Sequence, residues 1–366
     1  MKNKEKKQRS VPFKIFKGIG IVLLVIVVLF AGLIGFLSIT EYKPAQITAE
    51  LEIGGTADKT LKVGDSLTVM SWNIGYGALG DNADFFMDGG SSVKTADEER
   101  VRSNMEGVVK ELANVNPDII YFQEVDRDSS RSEHINEYEI LQSSINGFNS
   151  VFANNFKVAY LPYPIPPMGK VDSGVATFSS YPITDAERRQ LPIPFSWPVS
   201  MVNLKRCLLV SRVDIEGSDK QLVLVNLHLE AYDDGEGKIA QTKMLADFLS
   251  SEAKSGNYVI AGGDFNQIFS SADKTKYPAQ EGKWAAGEID VTQFDGKWQF
   301  LMDSSVPSCR SLDQPYENAD KDTFQYYLID GFIVSDNIKV ESCKNQNLGF
   351  VVSDHNPVVL KITLEK

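Results

Sequence analysis

Several protein classes are excluded by what this chain has little of. Its 366 residues hold three cysteines, Cys207, Cys309 and Cys343, an odd number whose spacings fit neither a zinc site nor a disulfide framework. Cys207 sits in an apolar strand pattern and reads as core; a Cys309–Cys343 bridge stays open for an exported domain. There are three histidines, His134, His228 and His355, so each one at a marked position carries weight. The chain has no internal repeat, no low-complexity tract and no lysine-rich stripe. Acidic residues outnumber basic ones, 49 to 37, which excludes a general electrostatic footprint for nucleic acid.

Charge is also absent from one long stretch. Ile19 to Ile39 runs 21 residues without a charged side chain, and Met1 to Lys17 before it holds seven Lys/Arg and only Glu5 as an acid. A membrane-spanning helix needs roughly 20 apolar residues and keeps its backbone hydrogen bonds internal. A cleaved signal peptide would have a shorter apolar core and a small-residue cleavage site, which SITEYKPAQ does not offer. The pattern predicts a cytoplasmic basic tail over 1–17, a transmembrane anchor over 18–40 and the remainder outside the cytoplasm at the cell membrane. Ala31 and Gly35 form a small-xxx-small pair, a spacing that also arises by chance. Without residues 1–40, which hold those seven basic residues and one acid, 30 basic and 48 acidic side chains remain, a net charge of −18. An anionic substrate would then be attracted locally, most simply by a bound metal.

Residues 41–65 read as a linker with little periodicity; a flexible segment of that length reaches roughly 25–30 Å. From 66 onward, β-rich runs alternate with helical ones. LTVMSWNI, DIIYFQEV, GVATFSS, LLVSRVDI, LVLVNLHL, YVIAGGDFN, LIDGFIVS and PVVLKITL read as strands. Val101, Met105, Val108, Val109 and Leu112 mark one helix that stops before Pro117, and Ile239, Leu245, Phe248 and Leu249 mark another closed by Gly256. Residues 77–95 are polar and Gly/Asp-rich and read as a long loop. Residues 160–205 contain LPYPIPPMGK and LPIPFSWPV, Pro-rich pieces that cannot be central strands. They read either as ordinary packed loops or as a substrate rim or membrane-facing lip.

The informative polar residues lie at strand ends. Asn73 ends the first strand, Glu124 the second and His228 a later one; Asp264 and Asn266 close VIAGGDFN; Asp330 opens DGFIV; Asp354 and His355 precede the last strand. Each alone has an ordinary reading as a turn, a cap or a solvated strand end, and His134 in SSRSEHINEY reads as a surface residue. Together they suit phosphate-ester hydrolysis. The oxygen ligands Asn73 and Glu124 suit a hard cation, Mg²⁺ or Mn²⁺. Asp264 is suited to orient or deprotonate a water, and Asn266 to hold that water or a phosphate oxygen. His228 and His355 are suited to stabilise phosphoryl charge or move protons, with Asp330 orienting His355.

SWNI, FQEV, SGVATFSSYPI, NLHLE, GGDFN, LIDGFIV and SDHNPV, in that order over residues 66–366, resemble the endonuclease/exonuclease/phosphatase superfamily of DNase I-like phosphoesterases. The resemblance implies a catalytic domain over 66–366 folded as a four-layer α/β sandwich, two packed mixed β-sheets flanked by helices. It implies metal binding at Asn73 and Glu124, with Asp354 as a further ligand. It also implies a catalytic Asp264/Asn266 pair, His228 and His355, and Asp330 supporting His355. Its substrate is less defined. The tether to a bilayer and the aromatic Pro-rich loops favour a small or lipid-linked phosphodiester, with one cationic cluster of Lys170, Arg188, Arg189, Lys205 and Arg206 beside those loops. The alternatives are a phosphomonoesterase, an extracellular DNA or RNA nuclease and, in another class, a catalytically inactive surface binding domain.

Overall fold

The structure is a computed structural model that describes residues 11–233 and 235–365; most of the basic tail read over 1–17 lies outside the described residues. Two seven-stranded mixed sheets form the body. One runs in the order Ile47–Thr48, Ile183–Gln190, Cys207–Asp214, Gln221–His228, Tyr258–Asp264, Asp330–Ser335 and Trp298–Leu301. The other runs Ile338–Asn345, Val358–Leu364, Ser66–Asn73, Ile119–Asp126, Gly169–Ser179, Asn149–Leu161 and Ile53–Gly55.

Alternation along the strands dictates how the layers stack. In Ser66–Asn73, Leu67 and Val69 join a core shared with Leu209, Leu222, Leu224 and Ile260 of the opposite sheet. Met70 and Trp72 point the other way and pack with Met105, Val108 and Leu112 of helix Glu98–Val115 and Leu141 of helix Glu137–Ser144. On the far side, Val223, Val225 and Val259 pack with Leu245, Phe248 and Leu249 of helix Glu236–Lys254. The result is the four-layer sandwich expected. Polar residues between the sheets are paired: Gln123 donates to Asn226 at 2.8 Å, and the Tyr121 hydroxyl donates to the Ile260 carbonyl at 2.9 Å.

Helix ends follow from local chemistry. Glu98–Val115 starts where the Asp97 side chain accepts from the Arg100 N–H and ends at Asn116, which takes the left-handed conformation with φ 50°. Each sheet contains one parallel pair joined by a helical crossover: Ser66–Asn73 beside Ile119–Asp126, and Gln221–His228 beside Tyr258–Asp264. Parallel neighbours bring their carboxyl ends to the same edge, the edge at which open α/β sheets form their crevices. Asn73 is thus level with Gln123, and His228 with Asp264. The antiparallel strand Asp330–Ser335 begins opposite Asp264, and Val358 opposite Ser71 puts residues 354–355 at the same edge.

Two sequence readings change. The segment 41–65 is no free linker. Ile47–Thr48 pairs with Arg188 and Arg189 at the edge of one sheet, Ile53–Gly55 pairs with Asn149–Val151 at the edge of the other, and Leu61 is buried in the shared core. Such two- and three-residue edge strands have too few positions to show a period. All three cysteines are free. Cys309 forms a backbone bridge with His355, and Cys343 faces Leu360 within a strand pair, so the Cys309–Cys343 bridge does not form.

Residues 11–40 form one helix. Its stretch Ile15–Thr40 is 26 residues, long and apolar enough to cross a membrane.

Candidate active site

The strand ends converge as the topology requires. Asn73 Nδ2 donates to Glu124 Oε1 at 3.0 Å and to Asp264 Oδ2 at 3.1 Å. His228 Nε2 lies 3.4 Å from Asp264 Oδ2, and His355 Nε2 lies 3.8 Å from the same oxygen. His355 Nδ1 pairs with Asp330 Oδ2 at 2.8 Å, and His355 Nε2 is 3.9 Å from Asp354 Oδ2. Asn266 donates through its backbone N–H to Asp264 Oδ1 at 2.8 Å and through its amide to the Leu229 carbonyl at 2.9 Å. The eight residues read from the sequence therefore belong to one cluster, and Glu124 is the only one of them that is not buried. His134, in contrast, is exposed on the surface and pairs with Asp128.

The backbone is shaped to hold this cluster. Glu124 (φ 53°) and Asn266 (φ 51°) both occupy the left-handed region, a cost that surrounding structure must sustain. Glu124 sits at an irregularity in pairing between Phe122 and Val125, which breaks the alternation and re-aims its carboxylate. Gly263 has φ +144°, and a Cβ there would lie 1.9 Å from the Leu227 carbonyl oxygen; the glycine is what lets Asp264 follow His228 so closely. The Trp72 indole donates to the His355 carbonyl at 2.9 Å, and the Ser353 hydroxyl donates to the Asn73 carbonyl at 2.8 Å, so the SDHNP turn is pinned to the first strand.

Electrostatics separates the two histidines. Burial, with Arg206 and His355 adding to it, holds His228 well below the usual imidazole range. Burial also pulls His355 down, but Asp330, Cys309 and Asp354 outweigh it and raise His355 well above that range. The two imidazoles are thus pushed in opposite directions, a split suited to different proton tasks. Burial and the Asp330 carboxylate lift Asp264 to about 7, against the pull of His355. Burial lifts Asp354 to about 6, the Glu124 carboxylate adding to it and His355 opposing.

Glu124 and Asp354 are hard oxygen donors that repel one another in a low-dielectric pocket, and their chemistry fits a hard divalent cation. Asn73 enters differently. Its Oδ1 accepts from the Gly75 N–H at 3.0 Å, so the atom aimed at the carboxylates is its amide nitrogen. In this arrangement Asn73 orders Glu124 and Asp264; to offer oxygen to a cation it must turn over and give up the Gly75 bond.

Glu124, His228, Asp264, Asn266, Asp354 and His355 of the cluster form the floor of a cavity of about 590 Å³. Much of its apolar wall comes from the two stretches without a clear sequence pattern, with Tyr232, Trp284 and Tyr327 adding to it. Leu79, Phe85 and Phe86 come from 77–95; Leu161, Tyr163, Met168, Phe195, Val199 and Val202 come from 160–205. The Pro-rich pieces are thus a cavity rim. The 77–95 stretch, polar by composition, buries Ala78, Leu79, Ala83, Phe85 and Val93 in a cluster of its own.

The cationic cluster disperses. Lys170 pairs with Asp128, Arg188 donates to the Asn154 carbonyl, Arg189 pairs with Glu187 and Lys205 with Glu41. Of the five, Arg206 alone lines the cavity, 3.3 Å from Glu230 and donating to the His228 carbonyl. Sequence reasoning missed Glu230, although NLHLE contains it, because its partner is 24 residues away. It also missed Arg131, which lines the cavity 3.7 Å from the Tyr76 ring centroid and is bound twice by Asp126. Arg310, another cavity residue, donates to two carbonyls, Ser311 and Gly80.

Solved structures share this fold. One is an endonuclease/exonuclease/phosphatase from Beutenbergia cavernae, 17% identical, covering 82% of this chain and 72% of its own, with a TM-score of 0.55. Another, from Bacteroides vulgatus, is 15% identical, covering 82% and 100%, with a TM-score of 0.54. A third is ANGEL2, described as a 2′,3′-cyclic phosphatase, 15% identical, covering 88% and 99%, with a TM-score of 0.53. No curated protein matches the chain. Residues 70–355 match the Endonuclease/Exonuclease/phosphatase family, whose members are phosphoesterases. That span begins within strand Ser66–Asn73 and ends at His355, so it contains all eight residues of the cluster: the chain belongs to the endonuclease/exonuclease/phosphatase family.

Proposed function

We propose that this protein is a membrane-anchored, divalent-metal-dependent phosphoesterase that hydrolyses small or lipid-linked phosphodiesters in preference to nucleic acid. The observation that carries the reading is the gathering of Asp264, His228, Asp330 and His355 around one point beside the Glu124 and Asp354 carboxylates. Glu124 and Asp354 would hold Mg²⁺ or Mn²⁺, with Asn73 completing the set if its amide turns. When bound, such a cation supplies Lewis acidity toward phosphoryl oxygens. Asp264, lifted to about 7, is a base matched to neutral pH and takes the proton of an attacking water. The backbone bond from Asn266 fixes the Asp264 carboxylate. The His355 imidazolium, oriented by Asp330, donates to a phosphoryl oxygen through Nε2. Neutral His228 keeps a second donor at the phosphoryl group without adding charge beside Arg206.

The helix Ile15–Thr40 supports a single-pass anchor, and the basic residues before it support a cytoplasmic N-terminus with the catalytic domain outside. The net −18 of the remainder and the dispersal of the cationic cluster argue against a long polyanion as substrate. The test is hydrolysis of a panel of phosphate esters by the full-length protein. Activity should vanish with chelator and return with Mg²⁺ or Mn²⁺, and Asp264→Ala, His228→Ala and His355→Ala should each cost at least about 10²-fold in turnover. Full activity in excess chelator would sink the metal-dependent reading, and binding of a partner unaffected by His228→Ala would favour an inactive binding domain.

A further inference from the structure

The helix does not leave the domain at its last residue. Leu37 is buried and Leu33, Ile34, Gly35 and Ser38 are partly covered, because the end of the helix rests against strand Asn149–Leu161 and the 3-10 turn Val199–Val202. The Ser38 hydroxyl touches Met201 Sδ at 3.1 Å. The first charged residue after the apolar run, Glu41, is held 3.2 Å from Lys205, itself buried.

This contact fixes a depth. The 21 residues Ile19–Ile39 span about 31 Å at 1.5 Å per residue, close to the roughly 30 Å of a bilayer's hydrocarbon core. Leu33 then lies about 9 Å inside the end of that span. Whatever packs on Leu33 to Leu37 shares their depth, and the charged Glu41–Lys205 pair sits at the headgroups. The turn that packs there contributes Val199 and Val202 to the cavity wall. On the same Pro-rich segments the domain exposes large apolar side chains: Ile165 at 95%, Tyr163 at 66% and Trp197 at 64%. Tyr163 also packs edge-on to Phe86, tying the 77–95 wall to the same rim.

We infer that this rim, Tyr163, Ile165, Trp197 and Val199, is seated in the outer leaflet beside the anchor helix, so that the cavity opens onto the bilayer and takes phosphoesters carried by membrane lipids. The inference rests on the phosphoesterase reading for its chemistry and on the helix contact for its geometry. Apolar walls of Phe85, Phe86, Leu161, Phe195, Val199 and Val202 receive the lipid's hydrophobic part, while the polar floor receives the phosphate. Exposed apolar area and an interfacial Trp/Tyr pair are what bilayer interfaces stabilise.

The test uses the full-length protein in phosphatidylcholine/phosphatidylglycerol vesicles, with and without lipids brominated near the headgroup. The emission difference between wild type and Trp197→Phe isolates Trp197. Seating in the leaflet predicts that brominated lipid removes most of this difference; an unchanged difference overturns it, whether the rim is instead covered by another protein or left in water. In the second arm, Ile165→Ser/Trp197→Ser should lower hydrolysis of a long-chain phosphoester in the vesicles about tenfold or more, the scale of two buried apolar side chains. Hydrolysis of soluble bis(p-nitrophenyl) phosphate should be unchanged. Equal loss on both esters, or no loss on either, overturns the lipid-substrate assignment. If wild type with Mg²⁺ hydrolyses neither ester, the phosphoesterase reading fails and the substrate class with it, while the quenching still decides the seating.

Discussion

The floor and the rim of the cavity are built on opposite plans. The floor comes from strand ends: Glu124, His228 and Asp264 line it, Asn73 and Asp330 brace the lining residues, and all five stand on or beside hydrogen-bonded neighbours whose register fixes them. The rim comes from loop segments 77–95, 162–168 and 191–206, whose apolar side chains pack on one another, the turn Val199–Val202 also resting on the end of the helix. Sheet ends are stiff because each strand is locked by two neighbours, and preorganised polar groups there act without reorganising. Loops on such a scaffold vary in shape and choose what reaches it. On the proposed function, the difference assigns chemistry and substrate choice in this chain to separate regions.

That separation can be broken by substitution. The largest effect should come from the floor: Asp264→Ala or His355→Ala should lower turnover on every ester by a similar factor. Phe195→Ser on the rim should re-rank the esters instead, changing soluble substrates by less than about threefold while lowering those with an apolar tail about tenfold. Ratios of kcat/KM across an ester series measure both, and a floor variant that re-ranks substrates would contradict the division.

A smaller effect tests the stiffness of the floor. Gly263→Ala must move the Leu227 carbonyl or the Asp264 backbone. It should cost at least about 3 kcal/mol in urea unfolding, within the range of severe backbone and steric changes. Gly282, also at positive φ but with nothing near its absent Cβ, should cost about 1–2 kcal/mol as alanine. Equal costs would mean the sheet end yields as readily as a loop.

The smallest effect concerns the support beneath the floor. Burial, together with Asp126, raises the Glu137 carboxyl well above its ordinary 4.5. A carboxyl raised on folding contributes stability that is complete below its unfolded value and lost as pH rises through its folded one. Glu137→Gln should therefore melt at least about 2 °C higher than wild type at pH 8, with the gap closing as pH falls toward about 4.5. A gap that widens on acidification would reverse the assignment.

Much of this was legible in the sequence because the central strands carry their signal locally. Ser66–Asn73, Ile119–Asp126, Gln221–His228, Tyr258–Asp264 and Val358–Leu364 are buried apolar runs that each end on, or follow, a polar residue, so strand and site were read together. The strands that escaped lie toward the sheet edges or carry charge. Ile183–Gln190 reads ITDAERRQ, and its Arg188 is buried only because Asn154, Gln190 and Lys205 accept from it. Ile338–Asn345 is an edge strand that alternates Lys and Glu with its apolar residues. The short helix Glu137–Ser144, capped by Asn136, has too few turns to show a period. In the site, the motif residues and Arg206 were found, and Glu230 and the buried Arg131 and Arg310 were not. Arg206 with Glu230, and Arg310 with Gly80, pair across distances that no local pattern records. The packed segment 41–65 was hidden for the same reason: its partners are Arg188, Arg189 and Asn149–Val151.

The central claim is that the strand-end carboxylates hold a catalytic divalent cation, and the most direct measurement is Mn²⁺ binding to the full-length protein, followed by electron paramagnetic resonance beside ester hydrolysis in the same samples. Wild type should bind Mn²⁺ saturably with hydrolysis rising in step, and Glu124→Gln should lose both. Hydrolysis that persists when no Mn²⁺ or Mg²⁺ is bound, or undiminished binding and turnover in Glu124→Gln, would contradict the account.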